Sequence, residues 1–296
     1  MLVDTHCHLN IMVNKKPDNL MTQEELSAVE TYIKKATDNN ISTIINVGTS
    51  LPESLNCLAL AQKYPTVYAA VGIHPTDCST DWKSDIAELT KLLISQHTDS
   101  PYTNSNLQYT DSQETNLQHT HLYAHKKHIV AIGETGIDRY HPGYNKSRQE
   151  NAFKAQIELA LNYDLALIVH SRDAAQETLT ILDTYKNDIK RATIHCFSYD
   201  QSIAQDCLKM GFMLGIGGTV TYKKNDVLRA IVQNMPLENL VLETDAPFLA
   251  PQVVRGKQNE PKYIKDIAEF IAELRNTTLE EIATQTTINA RKLFDI

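Results

Sequence analysis

The sequence has no long hydrophobic run and no secretory signal. Asp4, His6 and His8 interrupt the apolar start of the chain, Lys15 and Lys16 follow it, and no small-residue cleavage pattern comes after them. No stretch approaches the ~18 consecutive apolar residues that a membrane-spanning helix requires. We therefore expect a soluble globular protein that makes no contact with a membrane.

Cysteine is also sparse. The five cysteines are odd in number, scattered, and form no C-x-x-C pair. A disulfide framework uses an even number of cysteines at regular spacings, whereas isolated thiols are typical of a reducing compartment. The composition therefore predicts a cytoplasmic protein.

Positive charge is in short supply, since 28 Lys and Arg stand against 36 Asp and Glu, for a formal net charge of -8. Most affinity for nucleic acid comes from the neutralisation of phosphates by Lys and Arg, so the composition argues against a broad electrostatic grip on a duplex. A phosphate substrate stays possible, because acidic residues around bound dications can invert the local field.

Strand-length runs that are apolar on both faces, as in a parallel sheet covered by helices, occur eight times. They lie at 1–7, 42–48, 67–74, 128–135, 165–171, 192–198, 212–218 and 239–245. Helical patterns fill the gaps, at 23–38, 52–63, 84–95, 148–162, 173–187, 201–210, 225–234, 261–274 and 278–292. Eight βα repeats predict an α/β fold, a (β/α)8 TIM barrel, in one domain of residues 1–296. A doubly wound sheet is the alternative, and no glycine-rich phosphate fingerprint follows any strand to support it.

A polar stretch at about 96–127 interrupts the repeats and carries His97, His119, His121 and His125. A His-rich tract can bind metal, but this spacing fits no tetrahedral pattern. We interpret the stretch as a solvated, partly disordered insertion. Because it joins the third helix to the fourth strand, we expect it at the amino-terminal face, opposite the face where barrel active sites are built.

Polar side chains stand where the predicted strands end, which is where barrel enzymes carry their catalytic groups. They are His6, His8, His74, Glu134, His170, His195 and Asp245. Each follows an apolar run, where a charge or an imidazole is costly unless it is paired or ligated. Taken singly, each also fits a structural role, such as a histidine bonded to a backbone carbonyl or an aspartate that caps the next helix.

Strand alternation separates the cysteines from this set. Because successive side chains point to opposite faces, Asp4, His6 and His8 share one face and Cys7 faces the helices. The same rule places Cys196 away from His195, Arg172 on the face of His170, and Glu243 on the face of Asp245. Four imidazoles and two carboxylates exceed the ligand set of one ion, so the pattern predicts a two-metal site.

Seven motifs occur in order: "DTHCHL", "GIHP", "AIGETGID", "VHSRDA", "HCFS", "ETDAPFLAP" and "RGKQNEP". From Asp4 to Pro261, nearly the whole chain, the sequence resembles the TatD family of metal-dependent deoxyribonucleases, amidohydrolase-like barrels. The resemblance implies that His6, His8 and Asp245 hold one ion, that His170 and His195 hold a second, and that Glu134 bridges them. It also implies substrate contacts from His74 and from the loop of Arg255 to Lys257; the alternative for His74 is a turn residue before Pro75.

The chain departs from the family pattern at two positions. Arg139 stands where the family usually has an aromatic residue, and Gln258 where it usually has a second arginine. Both positions lie among the implied phosphate contacts, so the departures bear on substrate preference and not on the metal ligands. The insertion at 96–127 is also longer than is usual for the family.

The first functional hypothesis is the hydrolysis of phosphodiester bonds in DNA, as a 3′-5′ exonuclease on single strands or ends. Two divalent ions, Mg, Mn or Zn, would activate a water molecule. Asp245 would take the proton from that water, and Glu134 would set the ion spacing at roughly 3.5–4 Å. Arg172 would either contact the phosphate or hold Asp245 or Glu134 in place, and we favour the second role.

Two other hypotheses remain open. The metals could serve an ester or amide hydrolase, such as a D-aminoacyl-tRNA deacylase, although relatives that act on small amides often bridge their ions with a modified lysine where this chain has Glu134. A non-catalytic barrel that serves as an interaction module would be expected to lose its polar layer, and here all six ligand positions are filled. We expect no stable protein partner.

Overall fold

The computed structural model describes residues 1–14, 16, 19–98 and 127–296. Eight strands pair side by side in parallel, in chain order, as one sheet. They are β1 Leu2–Cys7, β2 Ile41–Val47, β3 Val67–Val71, β4 Ile129–Asp138, β5 Ala166–Arg172, β6 Ala192–Ile194, β7 Met213–Ile216 and β8 Leu240–Leu242. The sheet curls into a nearly closed barrel, and the predicted (β/α)8 fold is confirmed.

The barrel closes where the segment after β8 meets β1. The backbone N–H of Asp245 donates to the carbonyl of His6 at 2.9 Å, and the N–H of His8 donates to that of Ala246 at 2.8 Å. Asp4 reinforces this seam, since its carboxylate accepts bonds from the backbone N–H of Thr244 at 2.9 Å and from the Thr244 hydroxyl at 2.6 Å. The first and last strands are thus joined beside two of the predicted ligands.

Helices connect the strands and cover the outside of the barrel. They are α1 Leu9–Val13, α2 Gln23–Ala28, α3 Glu30–Asp38, α4 Leu51–Lys63, α5 Trp82–Thr98, α6 Lys146–Asn162, α7 Ala175–Asp183, α8 Gln201–Lys209, α9 Asp226–Asn234, α10 Ile264–Arg275 and α11 Leu279–Phe294. Side chains cap several helix starts, as the unsatisfied N–H groups of a first turn require. Thr22 forms a reciprocal capping box with Glu25, and Ser50, Asn145 and Thr278 cap α4, α6 and α11.

The apolar core has two parts. The larger lies between the strands and the helices and includes fully buried Phe153, Phe197 and Phe212. The smaller gathers strand residues such as Ile45 and Ile168 with Leu293 and Phe294 of α11. Phe294 is 1 % exposed, so the last turn of α11 is as deeply buried as the sheet it contacts.

Several predicted boundaries were wrong at the carboxyl ends of strands. β3 ends at Val71, β6 at Ile194 and β8 at Leu242, so His74, His195 and Asp245 follow their strands and do not end them. β4 is longer than predicted and continues through Gly136 to Asp138.

Other boundaries differ in smaller ways. The predicted helix at 23–38 is two helices interrupted at Val29, and the short helix α1 was not predicted. The predicted insertion at about 96–127 lies almost wholly outside the described residues, because the description stops at residue 98 and resumes at 127. Among the helices that are described, none combines the length and the apolar character needed to cross a membrane.

Candidate metal centre

Six predicted ligands converge at the carboxyl-terminal end of the barrel. They come from five of the eight strands or the residues just after them: His6, His8, Glu134, His170, His195 and Asp245. His195 is kept in line although β6 has ended, because its backbone N–H donates to the carbonyl of Val169 at 3.0 Å. The rings of His6 and His195 stack with their centroids 3.6 Å apart.

Glu134 lies in the middle of this cluster and turns one oxygen toward each half. Oε2 is 3.2 Å from His6 Nε2 and 3.9 Å from His8 Nε2. Oε1 is 2.7 Å from His170 Nδ1 and 3.6 Å from His195 Nε2. A buried carboxylate with different imidazoles on its two oxygens has the geometry of a bridging ligand.

Asp245 lies opposite Glu134. Its Oδ1 is 3.4 Å from His8 Nε2, 3.8 Å from His6 Nε2 and 3.9 Å from His195 Nε2. Its side chain is 13 % exposed, against 5 % for that of Glu134, so Asp245 stands at the more open edge of the cluster. A carboxylate in this place can contact both a bound ion and an incoming water molecule.

The imidazole tautomers follow from fixed backbone partners. His8 Nδ1 lies 2.8 Å from the carbonyl of Val47, which can only accept, so Nδ1 carries the proton in the neutral ring. The lone pair of His8 Nε2 then faces the oxygens of Glu134 and Asp245. Three electron-pair donors that face one another in a buried site are stabilised by a cation among them.

His74 has the opposite tautomer. Its Nδ1 accepts a bond from the backbone N–H of Thr76 at 3.2 Å, so its Nε2 carries the proton, 3.6 Å from Glu134 Oε1. Burial, with the neighbouring His170, lowers the pKa of His74 to about 3. Its backbone carbonyl also accepts from Asp77 N–H in a turn. The turn role and the placement beside the cluster therefore both hold, and His74 faces the cluster as a neutral N–H donor.

The cluster holds its carboxylates charged. Burial raises the pKa of Glu134, but His195, His6 and His74 outweigh it and leave that pKa well below its usual range. Burial also raises the pKa of Asp245, but the bond to His8 and the nearby imidazoles outweigh burial and leave that pKa below its usual value. Both groups are therefore ionised at neutral pH.

Asp138 was not among the predicted site residues, and it is fully buried at the end of β4. Its Oδ2 lies 3.2 Å from His170 Nε2 and 2.8 Å from His141 Nδ1, and its Oδ1 accepts from the backbone N–H of Tyr140 and of His141. The signal was present, because alternation from Glu134 through Gly136 puts Asp138 on the same face. The predicted strand ended at 135, so that rule was not carried far enough.

The role favoured for Arg172 was wrong. In the described part of the chain Arg172 forms no ion pair with Glu134 or Asp245; its exposed guanidinium lies over the ring of Tyr140, 3.8 Å from the centroid. Arg172 follows His170 on the last residue of β5, where the long side chain is free to leave the barrel axis. The contact between the Arg172 cation and the face of the Tyr140 ring stabilises this outward position.

The loop from Arg255 to Lys257 is exposed at the same end of the barrel. Arg255 lies over the ring of Tyr222 at 4.3 Å, and Tyr222 donates its hydroxyl proton to the carbonyl of Ala250 at 2.9 Å. Within the described residues neither Arg255 nor Lys257 forms a hydrogen bond or ion pair with the clustered ligands. Gln258 is exposed as well.

Arg139, the other departure from the family pattern, has a structural place. Its guanidinium lies 2.6 Å from Glu177 and donates to Gln149 Oε1 at 2.7 Å, and its side chain is only 9 % exposed. An arginine held by two partners is not available to bind a phosphate in its present position.

The two cysteines differ from each other. Cys7 is fully buried, and its thiol lies 3.8 Å from the carbonyl of Ala246, away from the cluster, as predicted. The alternation argument does not hold for Cys196, because β6 has ended and Cys196 has a φ of 46°. Its sulfur lies near the side chains of His195 and Glu243.

The donor set fits a metal centre. Three overlapping groups of cluster residues each place their ligand atoms within 4.8 Å of one another: His6, His195 and Asp245; His6, His8 and Glu134; and His74, Glu134 and His170. Imidazoles with carboxylates suit transition-metal dications, while Mg²⁺ prefers oxygen ligands. The tautomer of His74 sets it apart from the other members as a ligand.

Comparison with known proteins identifies the family. The sequence profile of the family described as "TatD related DNase" matches residues 3–295. An uncharacterized metal-dependent hydrolase of Bacillus subtilis, YabD, is 34% identical over 296 residues and 100% of both chains. The 3'-5' ssDNA/RNA exonuclease TatD of Citrobacter rodentium is 30% identical over 283 residues, 94% of this chain and 96% of its own.

A solved structure of the TatD homologue YjjV from Escherichia coli superposes with a TM-score of 0.80 at 26% sequence identity, covering 100% of this chain and 98% of that one. The similarity therefore spans the whole chain. The protein is a metal-dependent hydrolase and belongs to the TatD family.

Proposed function

We propose that the protein hydrolyses phosphodiester bonds in DNA, as a 3′-5′ exonuclease that acts on single strands or ends. The observation that carries the proposal is Glu134, whose two oxygens face different imidazoles, as a ligand shared by two ions requires. A relative of 30% identity bears the name of a 3'-5' ssDNA/RNA exonuclease, which supports the same substrate class.

In this proposal two metal positions share Glu134. The first position is formed by His6, His8 and Asp245, and the second by His170 and His195. Bound dications would supply Lewis acidity at a phosphate oxygen and a water molecule of lowered pKa. Mg²⁺, Mn²⁺ and Zn²⁺ are the candidates, and the nitrogen-rich donor set favours Mn²⁺ or Zn²⁺ for tight binding.

The protein's own groups would then handle the proton and the phosphate. Asp245 is ionised and lies at the open edge of the cluster, so its carboxylate would accept the proton of the attacking water as the new O–P bond forms and the P–O3′ bond breaks. The electron pair of the broken bond would stay on O3′, which would take a proton from solvent water. His74 donates its Nε2–H toward a phosphate oxygen. Arg172, Arg255 and Lys257, exposed at the same end, attract the remaining phosphates of the strand.

Single strands suit the surroundings of the site. Phe248 follows Asp245 by three residues, is 50% exposed, and its ring centroid lies 6.0 Å from that of His8. Tyr140, 57% exposed, follows Asp138 by two residues, and Arg172 lies over one face of its ring. Exposed aromatic rings are stacking surfaces for unpaired bases. With a net charge of -8, we expect a strand end to enter more readily than a long duplex binds.

We place this reaction in the cytoplasm and propose no stable protein partner. All five cysteines are free thiols, and four of them are buried. Free thiols persist in reducing compartments.

A nuclease assay tests the proposal. Single-stranded DNA, duplex DNA and RNA, each labelled at the 5′ end, are incubated with protein and Mg²⁺, Mn²⁺ or Zn²⁺. We expect a ladder that shortens from the 3′ end of single-stranded DNA, and no such ladder with Asp245→Asn. The exposed-lysine variant Lys190→Ala serves as the matched control and should cleave like wild type.

A D-aminoacyl-tRNA assayed in parallel separates the alternative. Release of the amino acid without DNA cleavage would favour an ester hydrolase. Absence of metal-dependent cleavage of every nucleic acid, with His6→Ala and Asp245→Ala indistinguishable from wild type, would overturn the proposal.

A further inference from the structure

The four imidazoles of the metal centre differ in what lies behind them. His8 Nδ1 has a neutral partner, the carbonyl of Val47 at 2.8 Å. His6 Nδ1 is buried and has no hydrogen-bond partner among the described residues. Behind each of the two imidazoles of the second position, His170 and His195, stands a buried carboxylate.

Asp138 is the carboxylate behind His170. It is fully buried, and its Oδ2 lies 3.2 Å from His170 Nε2, which leaves Nδ1 to face Glu134. Backbone N–H groups of Tyr140 and His141 donate to Oδ1 at 2.9 Å each, and the ring of His141 contacts Oδ2 at 2.8 Å. Asp138 is thus held rigidly, and it holds His170 in turn.

Glu243 is the carboxylate behind His195. It is 1% exposed, and its Oε1 forms an ion-pair contact of 3.1 Å with His195 Nδ1 that falls short of hydrogen-bond geometry. The same oxygen accepts the backbone N–H of Cys196 at 2.6 Å. Gly215 leaves room for it, since a Cβ at that position would come within 2.2 Å of Glu243 Oε2. Because Gly215 of β7 has no side chain, the Glu243 carboxylate can reach the His195 imidazole.

A carboxylate that accepts the second N–H of a metal-ligating histidine fixes the ring's tautomer and orientation and raises its basicity. We infer that Asp138 and Glu243 are positioning residues for the ion that His170 and His195 would hold in the proposed two-ion site. His6 and His8, the imidazoles of the first position, have no carboxylate behind their rings, so that ion should depend less on Asp138 and Glu243. This inference rests on the proposed two-ion site. It adds that the binding affinities of the two ions depend unequally on buried carboxylates.

The direct test measures the two ions separately. Wild type, Asp138→Asn and Glu243→Gln are dialysed against a range of Mn²⁺ concentrations, and bound metal is counted. Each variant keeps the shape of its side chain and one acceptor oxygen. We expect one ion to bind about 10- to 100-fold more weakly in either variant, and the other to bind within about twofold of wild type.

An exposed carboxylate that contacts none of the ligands gives the control. Asp206 on α8 is 43% exposed and pairs with Lys209 at 2.9 Å. Asp206→Asn should leave the affinities of both ions unchanged. Thermal unfolding of each metal-free variant, followed by circular dichroism, separates a weakened ion from a weakened fold.

A second pair of variants moves Glu243 without changing it. Gly215→Ala would displace the carboxylate from His195, whereas a Cβ at Gly217 meets nothing closer than 3.4 Å. We expect Gly215→Ala to weaken the same single ion as Glu243→Gln, and Gly217→Ala to bind both ions like wild type. Agreement between the two routes would tie the effect to the position of the carboxylate.

The possible failures can be told apart. Wild-type protein that binds a single ion at saturation would overturn the two-ion proposal itself. If wild type binds two ions, and the Asp138 and Glu243 variants either keep both affinities or lose both equally, the inference is overturned while the two-ion site stands. Nuclease activity is not needed for any of these readings.

Discussion

Replacement of Glu134 by glutamine removes one charge and turns one carboxylate oxygen into an NH2 group. In the wild type, Oε1 lies 2.7 Å from His170 Nδ1 and Oε2 lies 3.2 Å from His6 Nε2. An amide has a single acceptor oxygen, so its NH2 group must face one of the two metal positions. Whichever way the amide turns, one position loses its shared ligand.

The size of the loss can be estimated from the charge that is removed. Two unit charges about 4 Å apart interact by about 4 kcal/mol at an effective dielectric constant of about 20. Since 1.4 kcal/mol corresponds to about a factor of ten in affinity, at least one ion should bind about a thousandfold more weakly. Hydrolysis of DNA should fall with it, because both ions contribute to the proposed reaction.

Metal counting after dialysis, combined with the nuclease assay, measures both effects on the same preparation. Glu24→Gln, an exposed substitution in α2 that changes charge in the same way, is the control. A Glu134→Gln protein that binds two ions with wild-type affinity and cleaves DNA at the wild-type rate would refute the bridging role.

Three further predictions follow. Phe248→Ala should raise KM for single-stranded DNA about tenfold through lost base stacking; unchanged steady-state kinetics would contradict this. Arg139→Ala should lower the free energy of unfolding in urea by about 2 kcal/mol, because its guanidinium lies 2.6 Å from Glu177; an unchanged midpoint would count against it. Burial lowers the pKa of His195, but Glu243 and Glu134 outweigh it and raise that pKa to about 10 in the metal-free protein. A bound proton then competes with the ion, so Mn²⁺ affinity should rise about tenfold per pH unit between about pH 6 and pH 9; a flat profile would exclude this competition.

The strands were predictable because each is a short apolar run between helical patterns. Since the carboxyl ends of barrel strands lie at one face, the six residues at those ends could be predicted to form a cluster. Alternation also predicted that Cys7 faces away, because β1 remains a regular strand through that residue. The same rule failed for Cys196, because a left-handed residue after a three-residue strand no longer follows the pleat.

What the sequence did not reveal depends on contacts outside a single strand. Asp138 lies three residues past the predicted end of the strand, and the pairing of β4 with β5 continues through it. Arg172 shares the face of His170, yet the direction of a long side chain at a strand end is decided by its neighbours, here the ring of Tyr140. Alternation gives the face of a residue and not its partner.

The seam of the barrel has a consequence for how the protein folds. Cys7 and Ala246, which meet there, are 239 residues apart in sequence. Closing a loop of that length costs about 5 kcal/mol of free energy in lost chain entropy. Contacts between residues so far apart in sequence also slow folding. An ion shared by His6, His8 and Asp245 would act as a clasp across the seam. Amide hydrogen exchange in β1 should therefore quicken when metal is withheld, while that of β3, which carries none of the six ligands, changes less.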